Sequence, residues 1–271
     1  MRFNFAKSAA LAVAFCGFFM FENKSLTVSK YTVKSVKIPN KLNGLKIVQI
    51  SDLQDAKFGP RNKRLINKIK SLKPDIIVIT GDIIDCHRTD IYSALNFVKR
   101  ISGFCPTYYV CGNHEGVVGG YEKLSGDIEN MGAVVLNNRS VYFDEERKIR
   151  LIGLTDPYMK KLNNIGDFLK GQIIMDKKAF NIVLCHRPEL FSEYCLSGAD
   201  AAFCGHAHGG QIRIFSQGLF SPDQGILPKL TSGVHKNGGT TMIISRGLGN
   251  SVFPLRIFNR PEIVLTILER E

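Results

Sequence analysis

No linker rich in Pro, Gly or Ser, no low-complexity tract and no internal repeat divides this chain of 271 residues. Whatever chemistry it performs must come from a fold that spans most of it. The seven cysteines, at positions 16, 86, 105, 111, 185, 195 and 204, form no C-x-x-C pair. An odd, scattered set argues against a disulfide framework and fits mostly buried thiols. No zinc-knuckle spacing or aromatic nucleic-acid motif accompanies the basic charge, so nucleic acid is not the expected partner. Long uncharged apolar runs are scarce as well. Ala9–Phe21 falls short of the roughly 17–25 apolar residues that span a bilayer, and matches the roughly 7–15 of a signal-peptide core.

That run follows Arg2 and Lys7 and ends at Glu22, Asn23 and Lys24. No Ala-x-Ala cleavage site follows it, because Phe18, Phe19, Met20 and Phe21 fill the end where one would lie, and Phe15 is a poor fit to lipoprotein processing at Cys16. Residues 1–25 are therefore expected to form an N-terminal membrane anchor. A cleaved signal is the first alternative and a buried amphipathic segment the second. Positive residues ahead of the run favour a cytoplasmic N terminus and an exported, membrane-associated body of residues 26–271. Lys and Arg total 36 against 24 Asp and Glu, a formal charge of +12, which suits an anionic partner such as a lipid headgroup or wall polymer. The plainer reading is a solvated basic surface. Across Lys57–Lys73, helix-spaced Leu65, Ile66, Ile69 and Leu72 would turn inward and the lysines outward.

Against these absences stands one concentrated feature: metal-binding residue types placed where apolar runs stop. Asp52 follows Lys46–Ile50, Asp82 follows Ile76–Thr80, and Asn113 and His114 follow Tyr108–Cys111. His186 follows Ile182–Cys185, and His206 and His208 follow Ala201–Phe203. Short runs rich in Val and Ile read as buried strands, and the carboxyl ends of such strands are where open α/β sheets place ligand sites. Two carboxylates, one amide and four imidazoles exceed what one metal ion takes up, whereas two ions about 3.5–4 Å apart need that many ligands.

The spacing predicts strand 46–50, helix 62–72, strand 76–80, helix 91–101, strand 107–111 and helix 121–131. Mainly strands follow, at 134–136, 149–154, 182–185, 201–204, 211–215, 241–245 and 262–268. Helices alternate with strands in the first half and strands dominate the second, which suggests two facing sheets flanked by helices.

The series Ser51-Asp52-Leu53-Gln54, Gly81-Asp82, Gly112-Asn113-His114-Glu115, Cys185-His186 and Gly205-His206-Ala207-His208 resembles the motif set of the calcineurin-like metallophosphoesterases. The likeness covers roughly residues 45–265. Gly209-Gly210-Gln211 and Ser245-Arg246-Gly247-Leu248-Gly249 are similar to a bacterial subgroup described as membrane-associated phosphodiesterases or UDP-2,3-diacylglucosamine pyrophosphatase-like proteins. The resemblance implies an α/β fold, a four-layer α/β/β/α sandwich of two mixed sheets flanked by helices, with the site at one rim.

It also implies roles. Asp82 would bridge two divalent ions; Asp52 and His208 would serve the first, and Asn113, His186 and His206 the second. His114 would not bind metal but would act as a general acid, a task suited to imidazole near neutral pH, oriented by Glu115 or a carboxylate near Asp82. His87 and His235 lie outside the motifs and read as loop residues. Arg246 and Arg213 are candidates to hold the anionic remainder of the substrate, since a guanidinium binds phosphate oxygens bidentately; a structural arginine is the alternative. Gln54 departs from the family pattern, which has histidine there. Its amide oxygen is a neutral, harder and weaker ligand that favours Mn²⁺ or Mg²⁺ over softer-site metals; two divalent ions are expected, Mn²⁺ first, with Mg²⁺, Fe or Zn²⁺ as alternatives.

The reaction implied is attack on phosphorus by a metal-bound hydroxide. The substrate would be an anionic phosphoester, lipid- or nucleotide-linked, cleaved by a phosphodiesterase or pyrophosphatase. The alternatives are a phosphomonoesterase or phosphoprotein phosphatase, a nuclease, and a non-catalytic relative weakened at Gln54.

Overall fold

The computed structural model describes residues 5–144, 146, 148–160, 175–250 and 253–271; Arg2 lies outside them. The first half runs α1 (Phe5–Lys24), β1 (Thr27–Lys34), β2 (Leu45–Ile50), α2 (Lys63–Ser71), β3 (Ile76–Thr80), α3 (Ile91–Ser102), β4 (Thr107–Val110), α4 (Asn113–Val118), α5 (Tyr121–Asn130) and β5 (Val134–Val135). The second half continues with β6 (Arg139–Tyr142), β7 (Ile149–Gly153), β8 (Phe180–Leu184), α6 (Phe191–Ser197) and β9 (Ala201–Cys204). Four two-residue strands follow, β10 (Arg213–Ile214), β11 (Gln217–Gly218), β12 (Phe220–Ser221) and β13 (Gly225–Ile226), then β14 (Gly233–Asn237), β15 (Thr240–Ile244) and β16 (Glu262–Glu269).

Two six-stranded sheets result, ordered β1-β16-β2-β3-β4-β5 and β14-β15-β9-β8-β7-β6. Both are mixed: β16 is antiparallel to β2 in the first, and β14 to β15 and β6 to β7 in the second, the remaining pairs being parallel. Side chains alternate across each sheet. Ile47, Val78, Tyr108 and Val264 of the first sheet meet Leu151, Ile182, Phe203 and Ile243 of the second in the central layer. Their neighbours Val48, Ile50, Ile77 and Ile79 pack outward on Leu65 and Ile69 of α2, Phe97 and Ile101 of α3, and Leu124 and Ile128 of α5. Among the described residues, α6 covers the other outer face, where Tyr194 packs with Val183, Ala202 and Met242. The central strands are covered on both faces, which is why they read as unbroken apolar runs. Each such Ile, Leu or Val contributes about 1.5–3 kcal/mol on burial. The mixed α/β fold with two sheets flanked by helices is the expected one.

Three expectations need correction. β1 was not anticipated, because Thr27–Lys34 is a half-exposed edge strand with polar residues between its apolar ones. The strand expected at 211–215 shrinks to the two-residue β10, paired with β11 in a small ribbon. The expected anchor is a helix, but no helix among the described residues is long and apolar enough to cross a membrane. Leu11, Val13, Phe15 and Met20 of α1 are exposed, whereas its last turn is fixed to the domain through buried Glu22. The seven cysteines are all free, and four of them, at 105, 111, 185 and 204, are buried, as their scatter suggests.

Candidate metal centre

The carboxyl ends of β2, β3 and β4 in one sheet and of β8 and β9 in the other meet at a single rim. Immediately beyond them the backbone is forced into unusual geometry. Asp52, Gln54, Asp82, His206 and His208 all have positive φ, between 44° and 65°, a region that costs a non-glycine residue on the order of 1–3 kcal/mol and collects at functional sites. Two glycines make room for the carboxylates: a side chain at Gly112 would collide with Asp82, and one at Gly205 with Ser51 and Asp52.

Strain of this kind brings together side chains far apart in sequence. Asp82 Oδ2 lies 3.1 Å from His186 Nε2, and His206 Nδ1 lies 3.2 Å from the same nitrogen. His208 Nε2 is 3.4 Å from Asp52 Oδ1. The Gln54 amide nitrogen sits 3.2 Å from His208 Nε2, 3.3 Å from His114 Nε2 and 3.4 Å from Asp82 Oδ2. Asn113 opens α4 next to His114. Apart from half-buried Asn113, these residues are buried.

The fit to divalent ions rests on what these groups lack. Gln54 Oε1 and Asn113 Oδ1 are buried with no hydrogen-bond partner, an arrangement that costs roughly 1–3 kcal/mol per group unless something else satisfies it. Gln54 turns its NH₂ toward the centre; rotating the amide by half a turn would present the unpartnered oxygen instead. The ring orientations also suit metal. His186 Nδ1 donates to the Thr80 carbonyl at 2.7 Å and His206 Nε2 donates to Asp223 at 2.9 Å. In its neutral form each ring would then present its other nitrogen inward as a lone pair, the arrangement by which outer partners fix a metal-binding imidazole. Asp52 accepts the His206 amide at 3.1 Å, and Asp82 Oδ1 accepts the His114 amide at 2.9 Å, leaving Oδ2 facing the histidines.

Charge follows the same pattern. Burial opposes ionisation of Asp82, but His186 and then His114 hold its carboxyl far below the usual range. For His186, burial pulls down while Asp82 and Asp52 pull harder and push the ring up to about 10. His208 goes the other way. Burial, opposed by Asp52 and helped by the Arg256 guanidinium, lowers it to about 4, so its ring is neutral at ordinary pH.

Several functional neighbours escaped the sequence reading. Glu115 does not orient His114: its carboxylate accepts from the amides of Gly112 (2.7 Å), Asp82 (3.0 Å) and Ile83 (2.8 Å), which pins the two metal-side turns to each other. Burial, with the charge of Asp82, pushes Glu115 up to about 8. His114 is set instead by the Cys86 amide, which donates to Nδ1 at 3.1 Å, with Asp85 at 3.8 Å. Nε2 is thereby left with the proton. Asp85 has a faint signal in sequence, three residues after Asp82. Asp223 has none. It sits between β12 and β13, where the His206 hydrogen bond and then Arg187, against burial, hold its carboxyl at about 2. His87, exposed as expected, stacks edge-on 6.4 Å from the His114 ring.

Arg213 and Arg246 are not brought to the centre as free cations. Arg213 is buried and donates to the Gly209 and Ser216 carbonyls, and Arg246 pairs with Glu262 at 2.9 Å and reaches Thr27. The cations beside the centre are others. A cavity of about 700 Å³ begins at Gln54 and Asp55 and is lined by Lys24, Lys57, Arg88 and Asp90 along with Phe19, Met20, Leu248 and Leu255; Lys57 pairs with Asp90 and Arg88 with Asp85.

With this geometry in place, comparison with known proteins settles the family. Residues 45–210 match the family model of the calcineurin-like phosphoesterases. The chain belongs to that family. It is 28% identical over 257 residues to the Bacillus subtilis metallophosphoesterase YkuE, covering 92% of this chain and 87% of that one. A Campylobacter jejuni metallophosphoesterase, Cj0846, is 31% identical over 91% of this chain, which spans 65% of that protein's length. A Danio rerio protein named as a transmembrane protein with a metallophosphoesterase domain is 26% identical over 86% of this chain and 55% of its own length. The chain is a phosphoric ester hydrolase of the metal-dependent kind, and among the described residues Asp52, Asp82 and His186 form one group that could hold a metal ion.

Proposed function

We propose that the protein cleaves a phosphodiester or pyrophosphate bond in a lipid- or nucleotide-linked substrate, close to a membrane surface. The observation that carries this reading is the cavity at Gln54, which joins a charged rim carrying Lys24, Lys57 and Arg88 beside Asp55 and Asp90 to an apolar wall. A phosphodiester with a hydrophobic substituent matches both. The anionic phosphoryl group lies at the rim near Lys24, Lys57 and Arg88, and the substituent runs along Phe19, Met20 and Leu255. A small monoester would leave that wall unused.

In this reading Asp82 would serve both of two divalent ions, Asp52, Gln54 and His208 would hold the first, and Asn113, His186 and His206 the second. Ions held there supply the positive charge that activates water and offsets charge at phosphorus. Mn²⁺ suits the mixed oxygen and nitrogen set best. His114 binds neither ion. With Nδ1 occupied by the Cys86 amide, its Nε2–H faces the centre at 3.9 Å from Asp82 Oδ2 and protonates the departing oxygen. His114→Ala is expected to keep metal bound while cutting turnover by about 10²–10⁴-fold; metal loss equal to that of His186→Ala would make it a ligand instead.

Membrane association rests on the exposed apolar surface of α1, where Leu11, Val13, Phe15, Met20 and Phe21 face solvent near exposed Phe258, and on the net charge of +12. Apolar patches of this kind mark interaction sites, and basic charge favours anionic lipid.

The full chain assayed with Mn²⁺ against bis-p-nitrophenyl phosphate, p-nitrophenyl phosphate and a UDP-linked lipid tests the reading. Diester or UDP-lipid turnover without monoester turnover is expected. Preference for the monoester would make the protein a phosphomonoesterase, and silence with every divalent metal would make it a non-catalytic relative.

A further inference from the structure

The last turn of α1 is not idle packing. Glu22 is a buried carboxylate, 5% exposed, more than 230 residues in sequence from the group it holds, the Asn259 amide at 3.1 Å. Asn259 in turn donates through Nδ2 to the carbonyls of His208 at 2.7 Å and Gln211 at 2.9 Å. One residue further along the helix, the Asn23 side-chain oxygen accepts from the Arg256 amide at 2.9 Å and from Asn250 Nδ2 at 2.9 Å. The guanidinium of Arg256 is fully buried and has no carboxylate to pair with in these contacts. It donates to the carbonyls of Arg246 and Gly249 and to Asn250 Oδ1, and comes within 3.5 Å of His208 Nδ1. Two two-step relays therefore run from adjacent residues of α1 to one imidazole, one reaching its backbone and the other its ring, and they touch where Arg256 donates to the Asn259 carbonyl at 3.2 Å.

The segment being held needs holding. His208 has φ 48°, Gly209 64°, Gly210 78° and Gln211 60°; the two glycines take positive φ freely, but His208 and Gln211 keep it only where surrounding contacts impose it. Asn259 supplies two of those contacts and Glu22 fixes Asn259. A membrane attachment alone would not require buried polar bonds of this kind, since apolar contacts such as Phe18 on Phe258, with ring centres 5.7 Å apart, would dock the helix.

We propose that Glu22 and Asn23 are positioning residues of the metal centre: by fixing Asn259 and Arg256 they hold the His208 loop in ligating geometry and so set affinity for the ion His208 faces. This rests on the ligand assignment proposed above, but not on the substrate. It also makes α1 part of the working enzyme, so that a chain begun after residue 25 would lack a piece of the site.

Calorimetric titration of the metal-free full chain with Mn²⁺, without substrate, tests it. Glu22→Ala combined with Asn23→Leu is expected to weaken one ion about 10-fold or more, the range seen when outer partners of metal ligands are removed, and to leave the other ion unchanged. Amide hydrogen exchange at residues 208–211 should rise in the same variant. Glu22→Gln keeps an acceptor oxygen for the Asn259 amide and should bind like the parent. Phe18→Ala, which loosens the helix without touching either relay, should also bind like the parent. An unchanged isotherm in the double variant overturns the proposal, as does an equal loss in Phe18→Ala, which would reduce α1 to general stability. If the double variant does not fold, Glu22→Ala is set against Glu22→Gln, and identical isotherms overturn it. A parent that binds two ions yet hydrolyses nothing would sink the proposed function and leave this inference standing.

Discussion

The two halves of the centre are held by opposite means. The imidazoles of His186 and His206 are backed by acceptors, the Thr80 carbonyl and the Asp223 carboxylate, which favour the tautomer that ligates and raise its basicity. His208 is backed by the Arg256 guanidinium and has for its neighbour Gln54, a neutral amide. The cation behind His208 disfavours a bound cation and the Gln54 amide adds no charge to hold one, against which Asp52 supplies a carboxylate on that side. The difference teaches that under the proposed assignment the site would be asymmetric, with one ion gripped and the other exchangeable, even with Asp82 shared between them.

The strongest way to break that comparison is to remove one ring from each side. His186→Ala is expected to lose one ion per chain outright and hydrolysis with it, an effect beyond about 100-fold in affinity, whereas His208→Ala costs less because its ion is the weaker from the start. Metal content by plasma emission after dialysis checks this; equal losses would erase the asymmetry. Asp223→Ala should weaken the tighter ion by about 10–100-fold with little change in thermal stability, since Asp223 is half exposed. A calorimetric isotherm with the tighter step unchanged would show that Asp223 only neutralises Arg187. Gln54→His sharpens the comparison from the other side. It restores an imidazole to the weaker ion, so the Mn²⁺ giving half-maximal activity should fall, at most by about the same 10–100-fold. An unchanged or higher requirement would mean that residue 54 does not reach the ion.

The sequence made one part of this site legible and hid another, for a physical reason. Central strands covered on both faces appear as apolar runs, and the residue types that end β2, β3, β4, β8 and β9 stand out against them. Asp52, Asp82, His186, His206 and His208 could therefore be named with the strands that carry them. The helices α2, α3 and α5 were visible through their 3.6-residue spacing. β1 was hidden because an edge strand facing solvent carries polar residues at half its positions. Asp223, Asn259 and Arg256, and the true partners of Glu115, were hidden because what these residues hold is distant in sequence. Glu115 pins amides about 30 residues upstream and Asn259 a carbonyl about 50 upstream. Arg213 and Arg246 were left open between substrate and structural roles for the converse reason. Arginines near a phosphate site look like phosphate ligands until their carbonyl and Glu262 partners are seen.

The measurement that bears most directly on a shared two-ion centre is metal stoichiometry beside turnover, in the parent and in Asp82→Asn. The parent should bind two Mn²⁺ per chain in two unequal steps. The variant should hold fewer than two and lose hydrolysis, because an amide in place of the carboxylate keeps the shape but not the charge that two cations share. Two ions per chain with near-normal turnover in Asp82→Asn would contradict the account.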